Sequence, residues 1–197
     1  MRIRRFAATA LRLHWPLAVA VLIALLVAGG PAAATETPAR QAILVDMTTG
    51  SVLLEKNADE LVPPASMSKI MTLYMVFERL KDGSLSLDDT FLVSAKAWRK
   101  GGSKMFVEVD KRVRVEDLLR GVIVSSGNDA AIVLAEGLAG TEELFAEEMN
   151  RRAREIGLEH SVFKNATGWP DPEHLMTARD LAILAQHTIE NFPGLYP

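Results

Sequence analysis

Apolar residues recur three and four positions apart in five separate stretches of this 197-residue chain, while extended-strand patterns are short and confined to its first 110 residues. A chain ordered that way folds as helices layered on a small sheet, an α/β chain of the α+β type. Gln41–Asp46 (QAILVD) and Ser51–Lys56 (SVLLEK) read as paired strands around Met47-Thr48-Thr49-Gly50, with Gly50 free to take positive φ. Val62-Pro63-Pro64 holds the next segment extended. A helix then runs from Ser66 to Leu80, with Ile70, Leu73, Val76 and Phe77 on its apolar face. Phe91–Ser94 and Lys104–Val109 read as short strands around the Gly101-Gly102 turn. Further helices are expected over Val115–Val124 (Leu118, Leu119 and Ile123 inward) and Asp129–Leu138. Another covers Glu142–Ile156 (Leu144, Phe145, Met149 and Ile156 inward), stopped by Gly157. The last starts at Thr177-Ala178-Arg179-Asp180, which reads as a capping box, and reaches about Glu190. A lone hairpin is marginal in water, so the pattern calls for more strands than the front of the chain provides.

The N-terminus has a different character. Arg2, Arg4, Arg5 and Arg12 precede an uncharged apolar run from Leu17 to Ala28, then Gly29-Gly30-Pro31 and three alanines. That is the layout of a secretory signal peptide over residues 1–34, with the peptidase site after Ala34. The apolar run is shorter than the roughly 20 residues that span a bilayer, so membrane contact is expected only through an uncleaved N-terminus. Export to the periplasm is the expected destination. Removing those four arginines from a net charge of −3 leaves residues 35–197 at −7. A surface that acidic is unsuited to neutralising phosphates, which argues against a nucleic-acid partner. The chain has no cysteine, which excludes disulfides and thiolate metal sites. His14, His160, His174 and His187 show no metal-ligand spacing, and no cofactor is expected.

Two short patterns can carry chemistry. In Ser66-Met67-Ser68-Lys69, residues 66 and 69 share a helix face, which brings an amine to a hydroxyl that needs a base to become a nucleophile. Ser66 also sits where a helix starts, among unpaired amides that favour developing negative charge. Lys69 can act as a base only if its pKa falls. By itself the pattern is weak, because serine and lysine are common and S-x-x-K turns up about once by chance in a chain this long. Ser161-Val162-Phe163-Lys164 has the same spacing, and a serine before a helix equally fits an N-cap. Ser126-Gly127-Asn128, between two helical stretches, offers a hydroxyl and a carboxamide on one loop, or else another helix cap.

Together, S-x-x-K and S-x-N form the pairing found in penicillin-binding proteins and serine β-lactamases. In detail the chain resembles the low-molecular-mass penicillin-binding proteins that are serine-type D-alanyl-D-alanine carboxypeptidases. The likeness rests on Pro64-Ala65-Ser66-Met67-Ser68-Lys69, Gly102-Ser103-Lys104-Met105-Phe106 and Ser125-Ser126-Gly127-Asn128-Asp129-Ala130. It continues through Phe145, Met149-Asn150, Gly157, Asn165 and Thr177-Ala178-Arg179-Asp180-Leu181, and also takes in the early hairpin. The resemblance implies the β-lactamase/penicillin-binding-protein-like transpeptidase fold. It further implies Ser66 as acyl-ester nucleophile, Lys69 as general base, Ser126 as proton relay and Asn128 as substrate ligand. The implied substrate is a peptidoglycan stem peptide ending in D-Ala-D-Ala, with β-lactams as inhibitors and no metal.

The chain departs from that family at its third motif, K-T-G. No lysine follows Lys164, and the only later glycines are Gly168 and Gly194. Residues 35–197 are therefore expected to be the N-terminal portion of the catalytic domain, lacking the C-terminal strands of its central antiparallel sheet. Alone they are expected to fold poorly and to escape labelling by penicillin. Two other readings follow: an inactive exported fragment or stem-peptide-binding module, and a class A β-lactamase. The second needs an E-x-x-L-N-type loop, and its nearest counterpart, Glu147-Glu148-Met149-Asn150, falls on an amphipathic helix.

Overall fold

The computed structural model describes residues 37–196, so the leader read in residues 1–34 lies outside the described residues. Strands β1 (Ala42–Val45) and β2 (Val52–Lys56) pair antiparallel, Ala42 facing Lys56 and Val45 facing Val52. Gly50 closes the turn at φ +72, while the Asp46 carboxylate accepts the Thr48 amide and the Thr49 hydroxyl. The hairpin is the one the sequence calls for.

After the two prolines the chain makes a 3-10 turn over Ala65–Ser68 and passes into helix α1 (Lys69–Lys81). The helical segment starts where expected, but its first turn is tighter than an α-helix, and neither Ser66 nor Ser68 caps it. Strand β3 (Thr90–Leu92) leads into the short helix α2 (Ala95–Arg99), which Ser94 caps by accepting the Ala97 amide. Here one expectation fails. Lys104–Val109 forms no strand, and β3 pairs instead with β4 (Arg112–Arg114). The amides of Met105, Phe106 and Val107 go to the Asp129 carboxylate at 2.9–3.2 Å, so a side chain takes the place of a ladder partner.

Helices α3 (Val115–Ser125), α4 (Asn128–Ala139) and α5 (Glu142–Glu155) follow, and α6 (Ala178–Asn191) closes the described region. Helix α4 is apolar on nearly every side, which suits a helix surrounded by others. Ala130 through Ala135 are fully buried, and α4 packs on α1, α2, α3, α5 and β3. Glycines allow the closest approaches: Phe91 of β3 and Met105 occupy the places where side chains on Gly137 and Gly121 would stand.

The apolar stripes differ from the expected ones at two positions. Helix α3 buries Val115, Leu118, Leu119 and Val122, whereas Ile123, one residue beyond that stripe, is 57% exposed. Helix α5 buries Phe145, Ala146, Met149 and Ala153, and Leu144, one residue before its stripe, is 49% exposed. At the start of α6 only half of the capping box forms. Thr177 Oγ1 accepts the Asp180 amide, but the buried Asp180 carboxylate turns away to the Ser161 hydroxyl and the His160 amide. Of two isolated antiparallel bridges, Val62 with Met176 ties the segment after α5 to the chain leading into the 3-10 turn, and Val162 with Leu175 folds that segment back on itself.

Candidate active site

The 3-10 turn sets out the first pair. Ala65 is held at φ +49, an uncommon conformation for a residue with a side chain, and Ser66 follows it on an exposed corner. Lys69, 4% exposed, points back along the turn so that Nζ donates to Ser66 Oγ at 3.0 Å and to the Thr167 carbonyl at 2.8 Å. No carboxylate pairs with Lys69 among the described residues. Burial therefore acts unopposed on its ammonium and pulls its pKa down to about 8. A fraction of the amine is neutral near pH 7, within hydrogen-bond reach of a hydroxyl. That is the requirement for a general base.

The other S-x-x-K spacing makes no such pair. Ser161 donates to Asp180, and Lys164 forms an ion pair with Glu173.

Ser126 terminates α3 in the left-handed conformation at φ 51, with Gly127 following and α4 beginning at Asn128. Gly127, not Ser126 or Asn128, is the N-cap of α4, and no side chain caps that helix, which removes the N-cap reading for both residues. Asn128 is buried, and its Nδ2 donates to the Gly101 carbonyl at 2.9 Å. Because that partner can only accept, the amide nitrogen must face it, leaving Oδ1 to accept an N–H from elsewhere. The Asn128 amide donates to the Ser103 carbonyl, so the Gly101–Ser103 loop grips Asn128 at both side chain and backbone. The Ser126 hydroxyl has no hydrogen-bond partner among the described residues.

The segment Asn165–Trp169 links these two halves, and sequence reasoning assigned it no part in the site. Asn165 Oδ1 accepts the amides of Thr167 and Trp169 and the Thr167 hydroxyl, folding the loop on itself. Thr167 meets Lys69, Gly168 lies against Ala65, and the Trp169 ring rests on Gly101 and Gly102, 3.7 and 3.3 Å from where their side chains would begin. Lys100 Nζ lies 4.1 Å from the centre of that ring. A side chain on Gly102 would begin 2.7 Å from Asn128 Nδ2. The structure thus bonds Ser66 to Lys69 directly and joins Asn128 to them through this loop. No direct hydrogen bond connects Ser126 to Ser66 or Lys69 among the described residues. Only Asn165, with its turn-forming carboxamide, gave a signal from which the loop's importance was readable.

Ser68, fully buried between Ser66 and Lys69 in the sequence, bonds His174 Nε2 at 2.8 Å. His174 Nδ1 accepts the Lys164 amide, which fixes the proton on Nε2 as donor to Ser68. Burial holds the His174 pKa below its usual 6.5, with Asp171 opposing. One carboxylate and the carboxamide of the segment that a class A β-lactamase reading would recruit are engaged otherwise on α5. Glu148 pairs with Arg79, and Asn150 bonds the Ala146 carbonyl and both backbone groups of Phe163.

Comparison with known proteins gives the family of the chain. Residues 29–196 match the family model described as D-alanyl-D-alanine carboxypeptidase, and the chain belongs to that family. It is 39% identical over 163 residues to D-alanyl-D-alanine carboxypeptidase DacF of Bacillus subtilis, covering 80% of this chain and 42% of that protein. The crystal structure of D-alanyl-D-alanine carboxypeptidase DacD from Francisella tularensis superposes with a TM-score of 0.81 at 43% identity, over 83% of this chain and 40% of that one. Penicillin binding protein 5 from Haemophilus influenzae gives 0.78 at 37% identity, over 81% of this chain and 47% of that one. These matches bear out the α+β penicillin-binding-protein fold, with part of its sheet. The chain spans about two fifths of the length of the curated relatives it matches.

Proposed function

We propose that this chain carries the acylating half of a serine D-alanyl-D-alanine carboxypeptidase. The observation that carries the reading is Lys69 Nζ, buried without a carboxylate and 3.0 Å from Ser66 Oγ. Neutral Lys69 takes the Ser66 proton as Oγ attacks the carbonyl carbon of the penultimate D-alanine. The C–N bond to the terminal D-alanine breaks, and its amine leaves with a proton relayed through Ser126. Asn128 Oδ1 accepts an N–H from the acyl portion of the substrate. Water then cleaves the Ser66 ester, releasing the shortened stem peptide. A β-lactam ring opens onto the same hydroxyl, and the name of the Haemophilus influenzae relative supports that inhibitor class.

Residues 35–197 are assigned to the N-terminal portion of the catalytic domain and residues 1–34 to a signal peptide that directs export to the periplasm. Among the described residues no helix is long and apolar enough to cross a membrane.

The test is incubation of the complete gene product with a fluorescent penicillin. A mass increase of one penicillin on the peptide bearing Ser66, lost in Ser66→Ala, supports the reading. An unmodified Ser66 overturns it. N-terminal sequencing of the protein recovered from cells tests export, with Thr35 expected as the first residue.

A further inference from the structure

Behind Lys69 lies a buried carboxylate for which the chemistry above has no use. Glu142 opens helix α5 after the Thr141 cap and is only 5% exposed. A buried charge persists only when it is paired, and Glu142 has two partners on different elements. Its Oε2 lies 2.8 Å from Lys96 Nζ of α2, and Lys96 also holds Glu143 at 2.6 Å. Its Oε1 accepts the Ala166 amide at 3.1 Å. The Ala166 carbonyl in turn accepts the Thr72 hydroxyl at 2.7 Å, from α1 three residues after Lys69. The next carbonyl along, that of Thr167, is the one on Lys69 Nζ. Both polar backbone groups of Ala166 are therefore fixed from outside the loop, by α5 and α1, immediately before the residue that touches the base.

We propose that Glu142 is a positioning residue for Lys69: by holding the Ala166 amide it keeps the Thr167 carbonyl in place, and that carbonyl aims the amine at Ser66. The proposal rests on the reading of Lys69 as general base. Among the described residues Lys69 Nζ bonds only Ser66 and Thr167, and the charges that interact with Glu142 are Lys96, Lys100 and Glu136. Without Glu142 the Ala166 amide is left unpartnered in the interior and the loop must relax. Nζ then loses its carbonyl acceptor, which favoured the ammonium. The amine becomes less basic and less well aimed at once.

The experiment uses the complete gene product and follows acylation by a fluorescent penicillin from neutral to alkaline pH, alongside an NMR titration of the Lys69 side chain. Glu142→Ala is expected to lower the acylation rate about 100-fold, the scale of a 1 Å misplacement, with initial penicillin binding unchanged. The midpoint of the pH–rate curve and the Lys69 titration should both move to lower pH. Glu142→Gln, which keeps an oxygen for the Ala166 amide, should restore the wild-type midpoint and most of the rate. Thr72→Val releases the other side of the same residue and should reproduce the midpoint shift, which keeps the test alive if Glu142→Ala does not fold. An unmoved Lys69 titration in folded Glu142→Ala or Thr72→Val overturns the positioning role. A Lys69 titration that moves in a protein never acylated at Ser66 would instead overturn the peptidase reading and leave the positioning intact.

Discussion

Gly168 lies so close to the carbonyl of Ala65 that a methyl group on its α-carbon would penetrate that oxygen, and Ser68 Oγ would stand 3.0 Å away on another side. Gly168 has φ +75, so a side chain there is strained by its own backbone as well as by its neighbours. Ala65 immediately precedes Ser66, so whatever displaces Gly168 displaces Ser66. Gly168→Ala is expected to destabilise the fold by about 2 kcal/mol or more, combining left-handed strain with overpacking. Ser66 acylation should fall further than the loss of folded protein explains. Thermal unfolding and penicillin labelling of one sample check both.

Acylation should rise with pH through about 8, because burial depresses the Lys69 pKa to that value and only the neutral amine accepts the Ser66 proton. The sign for stability follows from the same shift. Between about 8 folded and the ordinary 10.5, the unfolded chain binds the extra proton, so the contribution of Lys69 to folding stability increases with pH across that window. Stopped-flow acylation at a series of pH values measures the first effect, and denaturant midpoints over the alkaline range measure the second.

His174 titrates below its usual 6.5, again because burial disfavours the charged ring. Its folded pKa is depressed, so the stability it contributes is complete above 6.5 and is lost as pH falls through the folded value. Protonation would also set an N–H on Nδ1 against the Lys164 amide. His174→Gln should flatten the pH dependence of the unfolding midpoint just below 6.5 relative to wild type. Equal slopes in the two proteins would refute this.

Asn128→Leu keeps the shape of the buried side chain but removes its hydrogen bonds. The Gly101 carbonyl loses its donor and, under the proposed function, the substrate N–H its acceptor, so acylation should slow by about 10- to 100-fold, the rate equivalent of a group left unsatisfied at ~1–3 kcal/mol. The Ser66–Lys69 pair lies outside these bonds, so the pH midpoint should stay in place. Comparison of the two pH–rate curves separates the effects.

The parts of the site legible in the sequence were those set by local spacing. Lys69 meets Ser66 because three residues bring the chain round one turn, and that holds in a 3-10 turn as in an α-helix. The carbonyl of Thr167 and the carboxylate of Glu142 reach Lys69 and Ala166 across 98 and 24 positions of sequence, and no periodicity announces such contacts. The expectation of a strand at Lys104–Val109 went astray for the same reason. Its residue types suit an extended chain, and the partner that took its amides was a side chain 22 to 24 residues away. Ile123 and Leu144 were misplaced on a finer scale. Each sits about 100° round its helix from a buried neighbour, and the width of an apolar stripe is decided by what packs against it.

Asp129 gathers the amides of Met105, Phe106, Val107 and Ala130 onto one carboxylate. Its oxygens thus serve as a hub on which two stretches of chain turn together, so neither the Met105–Val107 strip nor the start of α4 can drift without the other. A shift in the Met105–Val107 strip would be felt at the first turn of α4, where Asn128 stands, so the two segments are coupled rather than separately adjustable.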